Sequence, residues 1–177
     1  SKKEILISTY VCHPSMANNE LSGPLLGIAL AKYFLKKKKL EKSIRLIFIP
    51  ETIGSIAYIN INFNRIKKIV FGFNLTCVGD DKRFSILKSK YNDTILDKVC
   101  IDAYKKMGLK VKKYSFLDRG SDERQFSSPK VDLPMISMMR SKYGTYKEYH
   151  TSKDNFNFVS AKGLKKSFII HKFVLNK

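Results

Sequence analysis

Only three histidines occur in this chain of 177 residues, and two of them lie among side chains of related chemistry. His13 sits in Cys12-His13-Pro14-Ser15, and His150 in Glu148-Tyr149-His150-Thr151-Ser152-Lys153-Asp154. Carboxylates recur in comparable settings: Glu20 after Asn18-Asn19, Glu51 in Pro50-Glu51-Thr52, Asp80-Asp81 after Gly79, and Asp122-Glu123 after Arg119-Gly120-Ser121. Imidazole nitrogens and carboxylate oxygens are the donors that a borderline dication such as zinc accepts. Each signal alone is ordinary. A loop histidine is commonly a hydrogen-bonded structural residue, and a glutamate after a proline is commonly solvated. Their recurrence is what points to a metal site. His171, on the apolar face of the last predicted helix, is assigned no function.

These residues need elements to bring them together. Glu4–Val11 reads as a buried strand, Ser43–Pro50 as a second and Lys68–Thr76 as a third. Lys110–Phe116 fits an edge strand and Asp132–Met138 a buried one. A loop over Cys12 to Leu21 leads to a helix opened by Ser22-Gly23-Pro24, with Ser22 as its cap and Pro24 in the first turn. Further helices are expected over Gly54–Asn64, over Asp93–Met107 with Gly108 as its stop, and over Ala161–Leu175. Strands alternating with helices argue for an α/β layered domain. In open α/β sheets, sites form outside the carboxyl ends of the strands. The chemistry-bearing segments fall at those ends.

Composition narrows the function classes. Lys and Arg total 34 against 15 Asp and Glu, a formal net charge of +19. Such an excess invites a nucleic-acid reading. However, the cations are 28 Lys and 6 Arg, spread along the whole chain, whereas base-edge recognition favours the Arg fork. The one dense block is Lys36–Lys39, at a predicted helix end where cations complement the dipole. Nucleic acid is therefore not the expected partner. The apolar runs are far shorter than the roughly 20 residues that span a bilayer, and no membrane partner is expected. Three cysteines, Cys12, Cys77 and Cys100, are few and odd in number, which suits a reducing cytoplasm. The N-terminal Ser1-Lys2-Lys3-Glu4 runs directly into the first strand, without a signal-peptide core.

Four segments together resemble a family of bacterial aminopeptidase-like proteins, related to zinc-dependent aminopeptidases and glutamate-carboxypeptidase-type exopeptidases. They are Cys12–Gly23, Pro50–Ser55, Arg119–Phe126 and Glu148–Asn155, in the family order. The resemblance implies a three-layer α/β/α sandwich around a mixed, mostly parallel sheet, with zinc at the strand ends. It implies His13 as the first metal histidine and His150 as the last. The related enzymes carry an orienting aspartate where this chain has Ser15, a metal-bridging aspartate where it has Asn19, and an aspartate ligand where it has Thr76. Their paired glutamates are represented by Glu51.

Two zinc ions need a bridging carboxylate to screen their repulsion, and Asn19 is neutral. Unless Glu20 with Asp80 or Asp81 substitutes, one ion is expected. His13, His150 and a carboxylate from Glu20, Glu51 or Asp122 would hold it, with Glu20 taken as the ligand and a water in the fourth position. Glu51 is the expected general base, with Asp122 as the second catalytic carboxylate. Asp154 or Glu148 would orient His150. Asn19 and Glu123 complete the surrounding shell. Tyr143, Tyr146 and Arg124 are expected to stabilise the oxyanion or hold a substrate carboxylate. The implied activity is metal-dependent hydrolysis of a peptide or small amide substrate. The alternatives are a degenerate relative that keeps the fold without catalysis, and a basic nucleic-acid-binding module. Relatives carry more chain before the first histidine strand, so residues 1–177 are expected to form a single, partial domain. A partner chain or oligomer would then complete it.

Overall fold

The computed structural model describes residues 3–177; the Ser1-Lys2 start of the expected leaderless N-terminus lies outside them. The first strand, β1 (Glu4–Tyr10), is buried at all seven positions. Its alternation explains this: Ile5 and Ile7 enter one apolar cluster, and Leu6 enters the cluster on the opposite face. Strands β2 (Ser43–Ile49) and β3 (Ile69–Asn74) flank β1 in parallel. Parallel strands buried on both faces read as continuous apolar runs, which is why these three are legible in the sequence.

The sheet continues through β6 (Met135–Met139), parallel to β3, then β4 (Phe84–Leu87) and β5 (Val111–Tyr114), giving the order β2-β1-β3-β6-β4-β5. β4 runs antiparallel to β6, and β5 runs parallel to β4. The sheet is therefore mixed and mostly parallel, as expected. β4 is the strand that the sequence reading missed. Its four residues, Phe-Ser-Ile-Leu, are too short to show a period, and their burial depends on β6 and β5 alongside.

Helices cover both faces. On one side α1 (Ser22–Phe34), α3 (Ile95–Lys106) and α5 (Ala161–Leu175) pack Leu26, Leu30, Leu96, Cys100, Ile170 and Val174 over Ile5, Ile7, Phe73 and Ile136. On the other, Ile66 of α2 (Ile53–Ile66) and Phe126 of α4 (Glu123–Phe126) pack against Leu6, Ile69 and Met135. Local signals set the helix ends. Thr94 and Asp97 form a reciprocal capping box at α3, and Gly108, at φ +64°, follows its last turn. Ser160 caps α5 through Gly163.

The start of α1 departs from expectation. Ala17–Leu21 form one π-helical turn that runs into α1, so Ser22 lies inside the helix and is not its cap. Its hydroxyl donates to the Asn18 carbonyl at 2.5 Å and accepts from Val78 N–H at 3.0 Å, tying the turn to the loop that follows β3. Gly23 lets α1 approach the sheet: a Cβ there would collide with the Leu75 carbonyl and Thr9 Oγ1.

Candidate functional site

The four parallel strands β1, β2, β3 and β6 end on the same side of the sheet. Each of the loops that follow them contains a non-glycine residue in the left-handed region: Ser15 (φ 65°), Thr52 (φ 61°), Cys77 (φ 53°) and His150 (φ 55°). Such conformations cost on the order of 1–3 kcal/mol each and persist only where the surroundings enforce them. Thr52 is the most constrained. With ψ −65° it centres a γ-turn closed by Ile53 N–H on the Glu51 carbonyl at 2.7 Å, although its side chain is β-branched. Asp122 holds that turn: its Oδ1 accepts the Thr52 N–H at 2.8 Å and the Ser55 hydroxyl at 2.9 Å. The strain immediately follows Glu51 and fixes where its side chain starts.

His13 is the hub. Its Nδ1 lies 3.2 Å from Glu20 Oε2 and 3.1 Å from Cys12 Sγ. The backbone N–H groups of Cys12 and His13 bind the two Glu20 oxygens at 2.5 and 2.9 Å. On the other edge of the ring, Nε2 faces Glu51 Oε2 at 3.7 Å, close enough for charge attraction but not for a hydrogen bond. Glu51 Oε1 accepts the Ser121 hydroxyl at 2.5 Å, and the Glu51 N–H points at Cys12 Sγ at 3.2 Å. The His150 ring is 5.2 Å from the His13 ring, centroid to centroid, and stacks on Tyr149 at 3.8 Å. One donor atom each from Cys12, His13 and Glu20 fall within 4.8 Å of one another, the span that a single ion requires. These three residues stand on the wall of a cavity of about 680 Å³, with Val11, Pro14, Met16, Leu21 and Phe156 as its apolar lining. A second cavity, of about 480 Å³ beside Val70, Phe71 and Leu96, has no histidine, cysteine or carboxylate in its wall.

Behind this open cluster is a closed one. The Tyr10 hydroxyl bonds Thr76 Oγ1 at 2.6 Å, and Thr76 donates onward to the Asn19 carbonyl at 2.9 Å. Asn19 Oδ1 lies 3.1 Å from the same tyrosine hydroxyl. Asp154, fully buried, accepts Asn18 N–H at 2.6 Å, Asn19 N–H at 3.0 Å and the Tyr146 hydroxyl at 3.1 Å. Burial pushes the Cys77 thiol up to about 12 and drives the Tyr10 and Tyr146 hydroxyls well above their ordinary range, so all three stay neutral. Glu123 organises the next loop. Its Oε1 takes Gly120 and Ser121 N–H at 3.1 Å each and the Tyr143 hydroxyl, and its Oε2 takes Asn74 Nδ2 at 2.9 Å. Burial, reinforced by the Glu51 and Glu123 charges, raises the Asp122 carboxyl to about 6 against the pull of Thr52 and Ser55.

The family model described as "Domain of unknown function (DUF4910)" matches residues 1–177. The chain belongs to this family. It is similar to a Clostridium acetobutylicum protein whose name assigns it provisionally to polysaccharide biosynthesis and gives it an aminopeptidase-like domain. The two are 43% identical over 94% of this chain and 38% of that protein. A crystal structure from the same organism, described provisionally as a peptidase, superposes with a TM-score of 0.95 at 41% identity, over 98% of this chain and 41% of that one. A zinc aminopeptidase from Bacillus subtilis superposes at 0.81 with 18% identity, over 98% of this chain and 45% of that one, a likeness of fold. This DUF4910 chain thus has the aminopeptidase-like α/β fold and spans about two fifths of the length of its C. acetobutylicum relatives. Among the described residues, no helix is long and apolar enough to cross a membrane.

The DUF4910 chain brings His13, Glu20, Glu51 and His150 into one neighbourhood, with Asp122 one turn behind Glu51. Several expected roles change. Asp154 does not reach His150; its oxygens are spent on the π-turn amides and Tyr146. Glu148 pairs instead with Lys82 at 2.9 Å. Tyr143 and Tyr146 are buried and engaged by Glu123 and Asp154, so neither hydroxyl is free for an oxyanion. Arg124 is exposed, and its side chain reaches Thr52 Oγ1 at 3.5 Å. Asp80 is consumed by Asn18, Lys82 and Ser141, and Asp81 by Ser160, so neither substitutes for the missing ligands. His171 is structural: it is buried, with Nδ1 at 2.8 Å from the Ser167 carbonyl, and burial lowers it to about 4. Sequence reasoning missed Cys12 and Thr52. Cys12 adjoins His13 in the chain, which was the available signal.

Proposed function

We propose that this DUF4910 chain carries a zinc-dependent, aminopeptidase-like hydrolase site acting on a peptide or small amide bond. The observation that carries the reading is His13 at the carboxyl end of β1, with Glu20 on one ring edge, Glu51 on the other, and a cavity alongside. The donor set is chemically suited to zinc. His13 and Glu20 would hold the ion, with His150 beside them. When bound, zinc acidifies a water and polarises the scissile carbonyl. Glu51 accepts the proton of the attacking water at Oε2, the oxygen that Ser121 leaves free, and returns it to the departing amine. Asp122 and Glu123 position Glu51 through the Thr52 turn and the Ser121 loop. The apolar cavity wall suits an apolar group next to the bond that is cut.

One ion is favoured over two. Asn19 and Thr76 are neutral and already bonded to each other and to Tyr10, so no bridging carboxylate faces a second site. The same observation favours the second reading, a binding domain that has lost catalysis. Metal analysis and hydrolysis together decide between them. The purified chain is expected to bind one equivalent of zinc and to cleave aminoacyl anilides or N-acylated amino sugars. Chelation should abolish cleavage, and zinc should restore it. Zinc binding without hydrolysis of any substrate in such a panel would establish the second reading. The three free thiols suit a reducing compartment, the cytoplasm in this proposal. The substrates and partners of the longer proteins belong to the same proposal.

A further inference from the structure

The resemblance to zinc aminopeptidases supplies histidine and carboxylate ligands but no sulfur. Cys12 nevertheless belongs to the donor cluster. Its Sγ is 3.1 Å from His13 Nδ1, and Glu20 Oε2 is 3.2 Å from the same nitrogen. Ligand atoms of one tetrahedral zinc lie roughly 3–4 Å apart, given Zn–S of about 2.3 Å and Zn–N of about 2.0–2.1 Å. The three residues also share a cavity wall, which His150 does not. Cys12 is exposed, whereas Cys77 and Cys100 are buried and Cys77 Sγ faces Thr76, Asn19 and Tyr146.

We propose that Cys12 is a metal ligand, so that Cys12, His13 and Glu20 would together hold one ion beside the apolar cavity they line. This rests on the metal-dependent reading above. Three protein ligands with one open position is the arrangement of catalytic zinc sites. Cys12 binds as the thiolate and releases its Sγ–H proton to solvent. The Glu51 N–H, directed at Sγ from 3.2 Å, stabilises the resulting charge. Glu20 is held ready by the two backbone amides that fix its oxygens. A sulfur donor also selects the ion, because thiolate favours zinc over magnesium or manganese, which prefer all-oxygen sites.

Cobalt(II) is the direct probe, because a thiolate ligand produces a near-ultraviolet charge-transfer band that histidine and carboxylate do not. The full chain titrated with cobalt(II) should develop this band with a tetrahedral visible spectrum, and zinc should displace both. Cys12→Ser should remove the band and weaken zinc binding by about 10–100-fold, a range that loss of even an outer-shell partner can reach. Cys100→Ala should leave the band intact. Cys12 is exposed, so an unchanged thermal midpoint for Cys12→Ser serves as the folding control. Cobalt binding without the band, or a band that survives in Cys12→Ser, would overturn the assignment while leaving the metallohydrolase reading standing. A band in wild type with no hydrolysis of any amide would do the reverse. Failure of wild type to take up cobalt or zinc would overturn both.

Discussion

The strand ends of this protein hold two clusters that share a boundary at Asn19-Glu20 and differ in nearly every other respect. In one, Cys12, His13, Glu20 and Glu51 are exposed or half-buried and keep atoms without hydrogen-bond partners, such as Glu51 Oε2. In the other, Tyr10, Asn19, Thr76, Tyr146 and Asp154 are buried and bonded to one another. Side chains with spare donors beside a cavity can take a ligand. Side chains whose groups are already engaged can only hold the backbone. The π-helical turn Ala17–Leu21 links the two: Asp154 clamps its amides from within, and Glu20 leaves it toward His13. The contrast separates a binding half from a holding half, and substitutions on the two sides should fail in different ways.

The largest effect is expected on the holding side. Asp154→Ala removes the acceptor of two buried amides and one buried hydroxyl. Leaving these donors unpaired should cost about 3–5 kcal/mol of unfolding free energy. Urea denaturation measures it. A cost below about 1 kcal/mol would mean that water replaces the carboxylate and that the holding half is not closed. His13→Ala is the counterpart. It should lower zinc affinity by about 100-fold or more, about 2.8 kcal/mol of binding, and leave the metal-free unfolding free energy within about 0.5 kcal/mol of wild type. Calorimetric zinc titration beside the denaturation curve checks both. A large stability loss would place His13 with the holding residues.

The same division separates what the sequence discloses from what it conceals. His13, Glu51 and Ser121-Asp122 are legible because each directly follows a strand or sits in a short polar segment whose neighbours in the chain are its neighbours in space. The roles of Asp154 are not legible, because its partners Asn18 and Asn19 lie 136 and 135 residues away. Thr52 reads as an unremarkable residue, and only the backbone turn that Asp122 holds shows its strain. Cys12 is adjacent to His13, but whether its sulfur turns toward Nδ1 is a rotamer question that no spacing answers. β1, β2 and β3 are apolar throughout and plain to read, whereas β4 becomes a strand only because β6 and β5 supply its partners.

Asp122 lies behind the binding half but is fully buried, so it tests where the boundary falls. Its folded carboxyl titrates at about 6, above the ordinary 3.8. A raised acid favours the fold while protonated. Its contribution is therefore complete below about pH 4 and is lost as pH rises through about 6. The stability difference between wild type and Asp122→Asn should shift by on the order of 2 kcal/mol across that window, in favour of the variant at higher pH. Asparagine keeps the acceptor for Thr52 and Ser55 but has no charge to bury. Urea midpoints taken at intervals between pH 4 and pH 7 measure the shift. A flat difference would mean that Asp122 is ionised throughout and carries its charge without penalty.

The smallest effect belongs to Ser121, whose hydroxyl joins Glu51 of the binding half to the buried Asn74–Glu123 pair behind it. Its hydroxyl donates to Glu51 Oε1 and receives Asn74 Nδ2 at 3.1 Å. Asn74 keeps its stronger contact to Glu123 Oε2 when the serine is lost. Ser121→Ala therefore leaves Asn74 paired and frees one Glu51 oxygen. A freed carboxylate samples more orientations, and its Oε2 spends less time facing His13. One hydrogen bond of this kind is worth about 1 kcal/mol, so kcat/KM for amide cleavage should fall about fivefold while zinc affinity stays unchanged. The split is informative because Ser121 touches the proton acceptor but none of the proposed ligands. A matching loss of zinc affinity would make Glu51 a ligand, and an unchanged kcat/KM would remove it from proton transfer.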